Sequence, residues 1–350
     1  MTLEAKSFEI FSGTGGVGKT TLATARAIQI AQTGKKVLLI TIDPAKRLRE
    51  VLDIHENQAG EIVTINDPFD KDHHIQLDVE LMSPEKTFER IALANNCSEV
   101  LDNRILKILT RPYGGLNEVL AIVELNLQFN SKKYDTIVLD TPPGSHFLDF
   151  LDSVQRINMF FDQSFVDIFN YLGKKTDQTS SLSFGKKIVN KVVSSGVKAL
   201  LGYLNKVTGD KFIDEFIHAV IAIYQTKSSF ISALNLQKVL KSQENSNWFL
   251  VTNVEHNKLQ EAMDIKDQAK GFITEHTYMV LNKCIESELN QWNPTSGSKE
   301  EQLKNSLIEK ESNLKSNLKE QFKSVLEFPE VFSLSPLDHV QSLTQTWNKI

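Results

Sequence analysis

The sequence predicts an α/β protein built on a doubly wound, mostly parallel sheet, with a helical subdomain inserted into it. Three observations carry this prediction. An apolar run containing Phe8, Ile10 and Phe11 leads into a glycine-rich turn and then a helical pattern. The runs "KKVLLITID" and "YDTIVLDTPPG" are continuously apolar, as expected for strands covered on both faces. Between about Asp149 and Ser246 the strand signals stop and phenylalanine accumulates.

In chain order, "SFEIFSG" reads as a strand. "KTTLATARAIQIAQTG" reads as a helix, with Leu22, Ala25, Ile28 and Ala31 on one face and a stop at Gly34. A strand–helix–strand order implies a right-handed crossover in a parallel sheet. Weaker strands are expected near 62–65 and 75–77, and helices over 84–95, 98–109 and 116–129. The expected division is an N-terminal core over 1–148, a helical insert over 149–246 and a C-terminal core over 247–350. In the insert stand Phe160, Phe161, Phe165, Phe169, Phe212, Phe216 and Phe230. They suit either its core or a groove for an apolar helix. "NSNWFLVTN" and "YMVLNK" return to strand. A charged helix follows with Leu303, Leu307, Leu314, Leu318 and Phe322 on one stripe, and "EVFSLSP" closes as strand or loop.

Composition limits the function classes. Of 350 residues, 41% are hydrophobic and 24% charged, an ordinary globular balance. The net charge of −5 creates no global basic field, so nucleic acid is not an expected partner. The two cysteines, Cys97 and Cys284, are far apart in sequence and read as free thiols rather than a zinc site. No run is long enough to span a bilayer and no signal-peptide pattern stands at the start, so a cytoplasmic protein without direct membrane insertion is expected.

The chemistry begins at "SGTGGVGKTT". Gly13, Gly18, Lys19 and Thr20 fit G-x-x-x-x-G-K-[ST], a phosphate-binding loop. In such a loop successive backbone amides, here those of Gly15, Gly16, Val17, Gly18 and Lys19, converge on phosphate oxygens at a helix N-terminus. Thr14 and Thr21 flank them. Lys19 would supply charge to the terminal phosphates, and the Thr20 hydroxyl would coordinate Mg²⁺. Asp43 and Asp140 each end an apolar strand, where doubly wound sheets bind ligands. Asp140 suits the Mg²⁺ shell through water, and Asp43 suits orientation of an attacking water. Each could also simply cap a turn.

"GTGGVGKTT", "TIDPAKRL" and "LDTPPGSHFLDFL" together resemble the ArsA-like family, the arsenical-pump and tail-anchored-protein-targeting ATPases among the P-loop NTPases of the MinD and ParA class. "GGLNE", Gly114 to Glu118, resembles a further stretch of that family. The resemblance implies ATP, Mg²⁺ and nucleotide-driven switching, with Asp43 to Leu48 as first switch and Asp140 to His146 as second. It also maps an adenine-reading asparagine onto Asn282 and a purine-packing proline onto Pro336. It implies a protein or membrane-protein partner and a nucleotide-dependent homodimer.

The departures are informative. The family's second lysine in this loop is replaced by Thr14. Three readings follow: slow hydrolysis, another cation such as Lys46 or Arg47, or a monomeric or differently arranged enzyme. The zinc-bridging C-x-x-C of the targeting branch is absent, as are the clustered cysteines of the pump branch. His146 reads either as a sensor of phosphate state or as a turn-capping residue. Two functions remain: an ATPase that moves its switches and helical subdomain, and a nucleotide-gated scaffold with little turnover. A small-molecule kinase lacks an acceptor signature.

Overall fold

A computed structural model describes residues 3–42, 49, 52, 54–55, 58–70, 72, 74–111, 116–160, 210–270, 277–333 and 335–350. Asp43, Lys46, Arg47 and Gly114 lie outside the described residues, as do Phe161, Phe165 and Phe169. The chain divides into two compact units. One comprises residues 1–82, 127–151 and 237–350, the other 83–126 and 152–236.

The first unit carries an eight-stranded sheet in the order β3-β4-β2-β5-β1-β6-β7-β8. Its strands are β1 (Phe8–Gly13), β2 (Lys36–Thr41), β3 (Ile62–Ile65), β4 (Gln76–Leu81), β5 (Thr136–Asp140), β6 (Ser246–Asn253), β7 (Tyr278–Cys284) and β8 (Val325–Pro329). Every pairing is parallel except β3 with β4. The sheet is the expected doubly wound one. From β1 it grows one way through β5 and β2, and the other way through β6, β7 and β8.

The helix α1 (Lys19–Gln32) is buried over nearly its whole length, so its polar residues need partners. Arg26 is 1% exposed and donates from Nε to Glu9 Oε2 at 2.9 Å. Its Nη1 donates to Gln29 Oε1 and its Nη2 to the Leu3 carbonyl. The guanidinium also lies 5.0 Å from the ring centre of Trp347. Burial pushes the Glu9 carboxyl up, against the opposing pull of Arg26, the Lys6 amide and Asn247. Breaking such a pair strands a buried charge. Arg26→Met should therefore cost about 3–5 kcal/mol, while Glu9→Leu combined with Arg26→Met should cost less than the sum of the two singles. Urea unfolding followed by tryptophan fluorescence checks this, because Trp248, Trp292 and Trp347 all lie in the sheet unit.

The remaining helices are α2 (Pro84–Ala94), α3 (Arg104–Leu109), α4 (Asn117–Asn130), α5 (Ser145–Phe160), α6 (Asp210–Gln225), α7 (Lys227–Lys241), α8 (His256–Gln268), α9 (Glu286–Gln291), α10 (Lys299–Gln321) and α11 (Pro336–Trp347). The structure departs from the sequence reading in three places. The helix expected over 98–109 is broken into a 3₁₀ turn, Ser98–Asp102, and α3. Asn103 Oδ1 accepts from the amides of Ile105 and Leu106 and so starts a new helix. The last strand is "VLEFP"; the described residues of "EVFSLSP" before Pro336 are loop, one of its two expected forms, and the unforeseen α11 begins at Pro336. Ser335 caps α11 and Pro336 takes its first position. In α10, Leu314 and Leu318 are buried but Leu303 is 56% exposed, so the stripe is covered only in its second half.

The core of the sheet unit joins α1 and α11 to the strands. Phe11 stacks on Phe249 at 4.6 Å between ring centres, and Trp347 meets Phe249 at 5.4 Å and Phe328 at 4.6 Å. Trp347 Nε1 donates to the Leu22 carbonyl, and Thr344 Oγ1 to that of Ala25. These contacts clamp α1, and with it the start of the glycine-rich loop's helix. In the helical unit Phe230 and Ala233 are buried while Phe212 is 37% exposed.

Candidate functional site

The loop joining β1 to α1 stands at the carboxyl edge of the sheet. Gly18 is the N-cap of α1, with φ of 94°, and a Cβ there would lie 2.4 Å from Asn282 Nδ2. Gly15 and Gly16 are exposed, and nothing lies within 4 Å of a Cβ built on Gly16. The loop backbone thus opens outward, while Val17 is fully buried beneath it. This is the form needed for amides to meet an anion. Lys19 is 8% exposed and its Nζ donates to the Thr14 carbonyl at 2.8 Å, closing the loop across its own turn. Thr14 is itself buried, and its hydroxyl has no hydrogen-bond partner among the described residues. Thr21 points into the packed side of α1 and is 5% exposed.

β5 lies between β1 and β2, and Asp140 sits in register with both Phe11 and Thr41. Its Oδ2 accepts from Thr20 Oγ1 at 2.7 Å and from Thr41 Oγ1 at 3.1 Å. Two residues 120 apart in sequence are therefore joined at the start of α1. The chain after Asp140 folds back over the loop. Thr141 Oγ1 donates to the Phe11 carbonyl at 2.8 Å, and the Gly144 amide to the Gly13 carbonyl at 3.2 Å. His146 is exposed, with Nδ1 4.0 Å from Asp149 Oδ2.

Asn282 ends its buried run of β7 beside the loop. Its Nδ2 donates to the Val17 carbonyl at 2.8 Å, and its Oδ1 is a buried acceptor with no partner among the described residues. The amide is thus oriented by the loop, with Oδ1 left as a buried acceptor. Pro336 begins α11, which follows β8 at the same edge of the sheet. Asp43, Lys46 and Arg47 lie outside the described residues; β2, which leads to them, ends at Thr41 beside Asp140.

The structure thus brings Gly13, Thr14, Gly18, Lys19, Thr20, Asp140 and Asn282 to one edge. Sequence reading missed Thr41, since a threonine closing an apolar strand carries no signal of its own. It also missed that Asn282 braces the loop.

Thr20 Oγ1 and Asp140 Oδ2 are hard oxygen donors of the kind Mg²⁺ takes. Among the described residues no group of three or more His, Cys, Asp or Glu side chains is placed to hold a metal ion. A Mg²⁺ ion here would therefore draw its other ligands from phosphates and water, as Mg²⁺ usually does at nucleotide sites.

The sequence profile of the anion-transporting ATPases matches residues 6–232, from the strand before the loop into the helical segments. The chain belongs to the anion-transporting ATPase family. Among curated relatives of this ATPase family, a chain of Aquifex aeolicus named as a putative arsenical pump-driving ATPase is 31% identical over 161 residues, 44% of this chain and 51% of that one. One of Chlorobaculum tepidum, similarly named, is 25% identical over 281 residues, 80% of this chain and 62% of that one. The ATPase get3 of Neurospora crassa is 31% identical over 144 residues, 40% of each chain. The chain spans about half the length of these relatives.

Proposed function

We propose that the chain is a Mg²⁺-dependent ATPase that couples ATP binding and hydrolysis to movement of its two switch segments and its helical subdomain, residues 149–246. The observation that carries this reading is the Thr20–Asp140 hydrogen bond at the base of an open, glycine-lined loop. In this reading the amides from Gly15 to Lys19 and the Lys19 ammonium hold the β- and γ-phosphates. Thr20 would be a direct ligand of Mg²⁺ and Asp140 would hold it through water. When bound, Mg²⁺ offsets charge on the phosphate oxygens. Asp43 orients a water for attack on the γ-phosphorus, the bond to the bridging oxygen breaks, and ADP and phosphate leave.

Adenine fits the Asn282 geometry. One Nδ2 hydrogen is held by the Val17 carbonyl, which orients the amide and leaves Oδ1 as an acceptor, and an acceptor matches the 6-amino group of adenine. Pro336 packs against the purine in the same reading.

The movement has a structural handle. The segment after Asp140 is tied to the loop through Phe11 and Gly13, so a change at the γ-phosphate is felt at the start of α5. The family resemblance adds a nucleotide-dependent homodimer, a cytoplasmic setting and a protein or membrane-protein partner. Among the described residues no helix is long and apolar enough to cross a membrane.

A second reading rests on Thr14. Its buried, uncharged side chain places no cation at that position of the loop, which suits a nucleotide-gated scaffold with little turnover. Single-turnover phosphate release separates the two. The ATPase reading expects release that falls at least about 100-fold in Asp43→Asn. Equal release from both chains would favour the scaffold. Light scattering in ADP, ATP and a non-hydrolysable analogue then tests the homodimer, which should form with triphosphate only.

A further inference from the structure

At the opposite edge of the sheet, the amino ends of β1, β6, β7 and β8 surround a cavity of about 690 Å³. That volume falls in the range of small-molecule pockets. The six-residue strand β1, roughly 20 Å long, separates it from the glycine-rich loop. Its lining is one-sided in charge: Lys6, Lys319 and Lys323 against Glu4. Lys6 Nζ donates to the carbonyls of Gln243 and Ser246, which leave its charge uncompensated. Lys323 is exposed and has no ion-pair partner among the described residues, while Lys319 shares Glu327 at 3.0 Å. Tyr278 and Phe322 supply apolar walls.

Asn247 lines the cavity as a fixed, buried side chain. It is 2% exposed, and its Nδ2 donates both to the Glu4 carbonyl at 2.9 Å and to Glu9 Oε1 at 2.7 Å. Both amide hydrogens are used, so the orientation is settled and Oδ1 is left as an acceptor. That oxygen is buried without a partner among the described residues.

We propose that this cavity binds a small amphipathic anion: a carboxylate, sulfonate or phosphate on an apolar body. The lysines attract the anionic group, and Tyr278 and Phe322 cover the body. A cavity fed by several like charges concentrates counter-charge.

The test titrates the full chain with 1-anilinonaphthalene-8-sulfonate, an anion on an apolar body, in saturating Mg-ADP so that the glycine-rich loop is not available to the dye. One saturable site is expected by fluorescence. Decanoate should displace the dye and decyltrimethylammonium should not. Lys323→Glu should weaken binding about tenfold, and Lys310→Glu, an exposed change on α10, should leave it unchanged. Far-UV circular dichroism confirms that both variants fold. Absence of a saturable site, equal displacement by the cation, or unaltered binding in Lys323→Glu would overturn the proposal. Displacement by an acidic peptide but not by decanoate would also overturn it, assigning the surface to a protein partner instead.

Discussion

Lys19→Ala is expected to lower single-turnover ATP hydrolysis by about 1,000-fold, the scale of losing one preorganised charge from a phosphoryl-transfer site. The residue is nearly enclosed, and its ammonium is held 2.8 Å from the Thr14 carbonyl at the mouth of the loop. Charge acts strongly there because water is largely excluded and the group does not have to reorganise. Lys19→Arg should fare little better, since a planar fork cannot replace a compact ammonium in that space. The change removes the hydrogen bond to the Thr14 carbonyl and leaves the apolar core untouched, so the melting temperature should move by only a few degrees. Phosphate release within tenfold of the parent chain, from a variant that melts normally, would remove Lys19 from the proposed chemistry.

Gly13→Ala should unfold the site rather than merely slow it. A Cβ at position 13 would stand 2.3 Å from the Val251 carbonyl oxygen and 3.2 Å from its carbon, both backbone atoms of β6. Gly13 and Val251 are paired in register, so neither can retreat without parting the strands. The φ of 147° adds strain for any L side chain. A loss on the order of 3 kcal/mol is expected, together with loss of nucleotide affinity. Gly16→Ala is the matched control. Its φ is also positive, at 80°, but nothing lies within 4 Å of the new Cβ. It should cost about 1 kcal/mol. Urea titrations of the three chains side by side test the difference. Equal stabilities for the two variants would mean that the β1–β6 contact yields more easily than its geometry implies.

How much was legible varied by element. The loop and α1 were plain because their signal is local: glycines, Lys-Thr and a helical apolar stripe follow one another without interruption between Gly13 and Gly34. The covered strands β2, β5, β6 and β7 were plain for a related reason, since continuous apolar runs require burial on both faces. The helix expected over 98–109 was misread because the cap at Asn103 competes with a periodic pattern that runs across it. The helix α11 escaped notice because its reason for existing is distant. Val340, Leu343 and Trp347 are buried against α1 and the sheet, and the Trp347 indole reaches a carbonyl 325 residues away in sequence.

The candidate site divides in the same way. By itself the sequence determined the loop, the acidic strand end at Asp140 and the alternation of strand and helix that makes a parallel sheet. These follow from backbone sterics and apolar periodicity, which act over a few residues. Only the tertiary structure decided that β5 enters between β1 and β2, which sets Asp140 against both Thr20 and Thr41. It likewise decided that Asn282 reaches the Val17 carbonyl, and that Arg26 closes on Glu9 under Trp347. Strand order depends on which faces bury one another across the whole unit, and no local pattern encodes that choice.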